Sequence, residues 1–166
     1  MGGFLALRQA RLFQGRNMNN TLLVPAVSAY AHGPFQDMVG YQLGTDEQGR
    51  IYAKLPIRPD HLNLHGVLHG GVLLTLLDAI GGRVLKAADN RIQSVVTISL
   101  SADFIRPVGS GTLYATGKVD KVGKTIAYVS VKITLDDLAG EVVARGHSSW
   151  RVFIQKSLTK LPNTAI

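Results

Sequence analysis

The chain has 166 residues, 46% of them hydrophobic and 17% charged, which fits one soluble globular domain and excludes a disordered or low-complexity protein. It contains no cysteine, which rules out disulfides, thiolate metal sites and a cysteine nucleophile. A formal charge of +7 points to an anionic partner, but the basic residues are scattered with few aromatics beside them. That pattern favours a phosphate-bearing ligand or plain solubility over nucleic acid.

Residues 1–36 hold Arg8, Arg11 and Arg16 and no acid, the balance of an organellar transit peptide. The segment is poor in serine, however, and Phe4, Leu5, Leu7, Leu12 and Phe13 suit a short helix docked on the domain, the reading adopted for this extension. From Tyr41, YQLGTDEQGRIYAKLPI reads as a hairpin around the polar turn Thr45–Gly49. Pro56 and Pro59 end it, because proline lacks the N–H that a ladder requires.

Val72–Ala88 is the one long helix predicted, about 25 Å at 1.5 Å per residue. Its apolar residues surround the axis, so burial on most sides is expected. The run Gly70–Leu77 is far too short to span a membrane, and a cytoplasmic protein is expected, with organellar import left open. Gly81 and Gly82 each lower helix propensity by about 1 kcal/mol, which suggests close approach to a sheet or a partner helix. After Asn90 the chain reads as four strands in a meander. In the first, TISLSADF, strict alternation puts Ile98, Leu100, Ala102 and Phe104 on one face and Thr97, Ser99, Ser101 and Asp103 on the other. TIAYVSVKITL puts Thr125, Ala127, Val129, Val131, Ile133 and Leu135 on a single face. The order of elements is α+β, an antiparallel sheet curled about one helix. The domain spans 37–156, with 157–166 as a C-terminal tail.

Candidate chemistry concentrates before and within the helix. His61, His65 and His69 recur at every fourth position, but Pro59, Gly66, Gly70 and Gly71 make the stretch a loop, so the spacing has no helical meaning and no metal site is expected. Gly70 and Gly71 sit where loop becomes helix. The first N–H groups of a helix lack internal partners, and residues without side chains let a ligand oxygen reach them. A tight turn would use the same pair. Asp78 lies in the middle of the apolar helix, where an ionised carboxylate must be paired, protonated or facing a polar cleft.

The combination Asn63, Gly66, His69, Gly70, Gly71 and Asp78, spaced N-x-x-G-x-x-H-G-G-x6-D and followed by VVTISLSADFIRPV, resembles the hotdog-fold thioesterases, and among them the phenylacetate-degradation and 4-hydroxybenzoyl-CoA thioesterase branch. The likeness covers Tyr41 to Phe153. It implies hydrolysis of an acyl-CoA to free acid and CoA, with no metal and no cofactor beyond the CoA of the substrate. It also implies a homodimer joined edge to edge, often paired into a homotetramer, with active sites between protomers. By the same resemblance Asp78 serves as nucleophile or general base and the Gly70 or Gly71 N–H polarises the carbonyl. His69 orients the loop or contacts the thioester region, Asn63 holds water or the carboxylate, and Thr97 helps to place water. Gly71 also contacts substrate, and Arg106, Lys121 and Lys124 are candidates for the CoA phosphates. A non-catalytic acyl-CoA sensor or scaffold, or a hydratase on the same fold, are the alternatives.

Overall fold

In the computed structural model the residues described are 33–154, so the docked helix expected in the extension 1–36, built on Phe4 to Phe13, and the tail 157–166 lie outside them. A short helix α1 (Pro34–Val39) crosses the expected domain start and leads into the hairpin β1 (Gln42–Thr45) and β2 (Ile51–Pro56). Asp46 and Arg50 close its turn: Asp46 N–H donates to Arg50 O at 3.0 Å, and the two side chains pair at 2.6 Å. A 3-10 turn (Pro59–His61) and a loop precede α2 (Gly70–Ala88). Four long strands follow, β3 (Ile92–Phe104), β4 (Thr112–Val122), β5 (Ile126–Leu135) and β6 (Val142–Ile154).

The six strands form one antiparallel sheet in the order β1-β2-β4-β5-β6-β3. The expected meander is therefore confined to β4, β5 and β6, and β3 lies beyond β6 at the far edge. Wrapping explains the departure. The strands that enter and leave the helix must lie towards opposite ends of a sheet that closes around it, and α2 touches β2, β3, β4, β5 and β6. Residues Ile105–Gly111 make the crossing. Seven extended residues reach roughly 25 Å, enough for three interstrand gaps of about 4.8 Å.

Leu76, Leu77, Ile80 and Leu85 of α2 are fully buried against Ala53, Leu55, Leu113, Ala115, Ile133 and Val143 of the sheet. Each buried leucine or isoleucine contributes on the order of 1.5–3 kcal/mol before entropy is charged against it. Gly81 and Gly82 give the close approach anticipated for them. A Cβ on Gly81 would lie 2.8 Å from the Trp150 ring, and one on Gly82 3.2 Å from it. The buried Trp150 Nε1–H donates to Ser148 Oγ at 2.7 Å, and that hydroxyl donates to Val129 O at 3.3 Å. The helix is not covered all round, because Leu74 is exposed and Thr75, Asp78 and Ala79 are only half-buried.

The two sheet edges differ. β1 is four residues long, whereas β3 presents thirteen residues on which Val96, Ile98 and Phe104 are more than half exposed, as is Ile105 just beyond them. A long apolar edge is a template for pairing with another strand.

Candidate active site

The loop before α2 is built from its own backbone. Asn63 Oδ1 accepts from His65 N–H at 2.8 Å and Val67 N–H at 3.4 Å, while Gly66, at a φ of +72°, turns the chain. Leu68 N–H donates to Val108 O at 2.7 Å, which ties the loop to the β3–β4 crossing. His61 is buried, with Nδ1 accepting from Arg58 N–H at 3.1 Å and Nε2 2.9 Å from Val39 O, so both ring nitrogens serve the fold. Among the described residues no group of three or more His, Asp or Glu is arranged to hold a metal ion.

His69 is the N-cap of α2. Its Nδ1 accepts from Gly71 N–H at 3.0 Å, so Nε2 carries the proton of the neutral ring. Val72 N–H turns back to His69 O at 2.9 Å. Gly70 N–H is then the first helical donor without a protein acceptor among the described residues. Of the two glycines considered for an oxyanion site, Gly70 has the open N–H, at the positive end of the helix dipole. A Cβ there would lie 2.8 Å from the Phe104 ring, so the Gly70 α-carbon is also where β3 closes on the loop.

Asp78 faces an open cleft of about 490 Å3 whose walls are Phe35, Tyr41, Leu74, Thr75, Ala79 and Leu100. Thr97 Oγ–H donates to Asp78 Oδ1 at 2.7 Å. This pairing departs from the strict alternation expected of β3. Thr97 pairs with Trp150 and Ser99 with Ser149, so Ile98 is an extra residue, a β-bulge. The bulge changes the phase, and Thr97 therefore lies on the helix side of the sheet together with Leu100, instead of opposite it.

Tyr41 was not foreseen, because a tyrosine at the start of a strand carries no sequence signal of its own. Burial pushes its phenol above the ordinary range. The Arg83 guanidinium pulls it down, and the Asp78 carboxylate adds to the upward push. Tyr41 is thus a neutral donor at physiological pH, in the same cleft as the acid. Gln36, buried in α1, fixes this corner by donating from Nε2 to Tyr41 O at 3.1 Å.

Within one chain the two parts of the site stay apart. Gly70 and Asp78 are eight residues apart on one helix, about 12 Å along its axis. Arg106, Lys121 and Lys124 do not line the cleft. Arg106 is ion-paired with Glu141, and Lys121 and Lys124 are exposed near the β4–β5 turn.

A long helix held in a curled antiparallel sheet, with a carboxylate on its open side, defines a hotdog-fold protein. Residues 65–149, just over half the chain, match the Thioesterase superfamily, and the protein belongs to that family. A Mycobacterium tuberculosis protein provisionally named an esterase is 33% identical over 116 residues, covering 68% of this chain and 81% of its own. Its structure superposes with a TM-score of 0.67 over 75% of this chain and 99% of that one, at 31% identity. Human acyl-coenzyme A thioesterase 13 is 29% identical over 99 residues, 59% of this chain and 69% of its own. The structure of Bacillus halodurans protein BH2602 with CoA superposes at a TM-score of 0.69 and 28% identity, covering 79% of this chain and 88% of that one.

Proposed function

We propose that the protein is an acyl-CoA thioesterase that hydrolyses its substrate to free acid and CoA, of the phenylacetate-degradation and 4-hydroxybenzoyl-CoA-like branch. The observation that carries this reading is the Asp78–Thr97 pair at an apolar cleft, in a chain of the Thioesterase superfamily. The open N–H of Gly70 accounts for the polarised carbonyl, because a donor fixed before the reaction stabilises charge as it develops on oxygen. The separation within one helix favours a site shared between two protomers, in which one chain's Gly70 faces the partner's acid. The long apolar edge of β3 supplies a surface on which the chains would join, and pairs of such dimers would make the tetramer.

In this reaction an oxygen nucleophile adds to the acyl carbon, the C–S bond breaks and the thiolate takes up a proton. Thr97 holds Oδ1 of Asp78, which leaves Oδ2 to attack the carbonyl directly or to take a proton from water. Direct attack displaces the thiolate and forms a mixed anhydride that water then cleaves. Label found in the Asp78 carboxylate after a single turnover in ¹⁸O-water would therefore establish that route, whereas general-base hydrolysis puts label only in the released acid. Asn63 and His69 act by holding the loop and the helix start. Arg106, Lys121 and Lys124 are assigned to the CoA phosphates, with the Glu141 pair exchanged for phosphate at Arg106.

The test measures thiol release from aryl, short-, medium- and long-chain acyl-CoAs by the wild-type protein and by Asp78→Asn. A loss in the variant of roughly 10²–10⁴ in kcat, with binding retained, is expected for removal of the acid. Tight acyl-CoA binding with no hydrolysis by the wild type would make the protein a sensor. The shared site has its own test. Asp78→Asn and Gly70→Pro chains, each inactive, are unfolded and refolded together. Random pairing makes half the dimers mixed with one intact site in each, and about a quarter of wild-type activity should return. No recovery would place both groups of each site in one chain.

A further inference from the structure

A second concavity, of about 580 Å3, lies on the face of the sheet turned away from α2. It gathers four cations, Arg50, Lys118, Lys132 and Arg145, together with His147, and no aspartate or glutamate lines it. Arg50 is paired with Asp46, but Lys118, Lys132 and Arg145 have no ion pair among the described residues. Two acids border the bowl. Asp103 stands opposite Arg145 in the β3–β6 register, and Asp120 accepts the Ser130 Oγ–H at 2.5 Å.

The strand register shows that this charge is concentrated by construction. Lys132 of β5 is directly opposite Arg145 of β6, with Thr116 of β4 on its other side. In the next row Ser130 lies between Lys118 and His147. Like charges directly opposite each other on a sheet face are destabilising, and neither Lys132 nor Arg145 is needed for packing, since both are exposed. An anion seated between them would remove the repulsion.

The chemistry of the lining is that of binding and not of hydrolysis. Ser130 gives its proton to Asp120 and lies 3.2 Å from His147 Nδ1, which orders the floor of the bowl. The backbone N–H groups of these central strands are engaged in the ladder, so no oxyanion donor stands near the serine. Two ammonium groups, a guanidinium fork and the Thr116 hydroxyl together match phosphoryl oxygens. A second copy of this face would set the same cations against each other, which argues for a foreign anion.

The geometry points to a binding site for a small molecule carrying several phosphate charges, on the opposite face of the sheet from the Asp78 cleft and independent of it. The site does not rest on the thioesterase reading. Its test is calorimetric titration of the full chain with inorganic triphosphate at physiological ionic strength. Saturable binding with one triphosphate per chain is expected, weakened at least tenfold in Lys132→Gln/Arg145→Gln and unchanged in Asp78→Asn. Without ligand the double variant should melt no lower than wild type, because the cross-strand repulsion is gone, while the rise in Tm caused by triphosphate should disappear. Its hydrolysis of acyl-CoA should match wild type. Absence of binding by the wild type overturns the proposal. So does binding that survives the double substitution and is displaced by CoA, which would place the anion at Arg106, Lys121 and Lys124. A change of oligomeric state in the double variant would give the face to a second copy and equally overturn it.

Discussion

The start of α2 and the middle of α2 supply the two parts of the candidate site by different means. At the start the functional group is backbone, an N–H that Gly70 leaves open because His69 turns its own imidazole onto the next one, Gly71. In the middle it is a side chain, Asp78, whose partner Thr97 reaches it only because β3 carries an extra residue. The first depends on local chain geometry over three residues. The second depends on a long-range contact between a helix and a strand, and is correspondingly easier to disturb by changes elsewhere in the sheet.

The largest effect expected after loss of the acid itself comes from Gly70→Pro. Proline is tolerated at the first helical position, and the extended backbone of His69 (φ −68°, ψ 132°) already suits a residue before proline. The substitution therefore deletes one N–H with little disturbance of the helix. A fall of roughly 10²–10³ in kcat is expected if that group is the oxyanion donor. Gly70→Ala is the control. It adds the same contact with Phe104 but keeps the N–H, so it should retain far more activity, and equal losses in the two variants would show that crowding, not the donor, matters.

Thr97→Val comes next. It preserves shape and removes the hydroxyl that orients Asp78. A hydrogen bond to a charged group is worth about 1.5–3 kcal/mol, so steady-state kinetics should show a loss of about 10- to 100-fold in kcat. Rates close to wild type would reduce the pair to a packing contact and leave Asp78 alone as the mid-helix element.

The smallest effect on chemistry should come from Gly81→Val, which places branched carbon against the Trp150 ring, where even a Cβ would approach to 2.8 Å. Destabilisation of about 1–3 kcal/mol is expected from overpacking, seen as a lower Tm, with kcat per folded molecule retained. If activity fell more than stability did, the packing of α2 on the sheet would itself be positioning Asp78.

Much of the fold could be read from the chain because its signals are local. The β1–β2 hairpin announces itself by the polar turn Thr45–Gly49 and the prolines after it, α2 by its leucines, and the buried face of β5 by the alternation Ala127, Val129, Val131, Ile133. The glycines of α2 could be assigned to close packing, although nothing in the sequence names Trp150 as the neighbour. Two readings failed for physical reasons. Strict alternation misassigned Thr97, since a bulge changes the phase of a strand without any distinctive residue at Ile98. The four-strand meander failed because strand order follows from how a sheet closes on a helix, which no single segment encodes.

The sequence alone determined the kinds of groups available: an acid in an apolar helix, a histidine and two glycines before it, no thiol, and an excess of cations. Those follow from residue type and near-neighbour spacing, which the folded state cannot change. Tertiary structure decided which groups meet. It gave Asp78 its threonine, assigned His69 to capping and left Gly70 as the open donor, brought Tyr41 into the cleft, and aligned Lys132 with Arg145 on the opposite face. Each of these juxtapositions depends on strand register and helix–sheet packing, which are set by burial of the whole core and so cannot be read from any one stretch of chain.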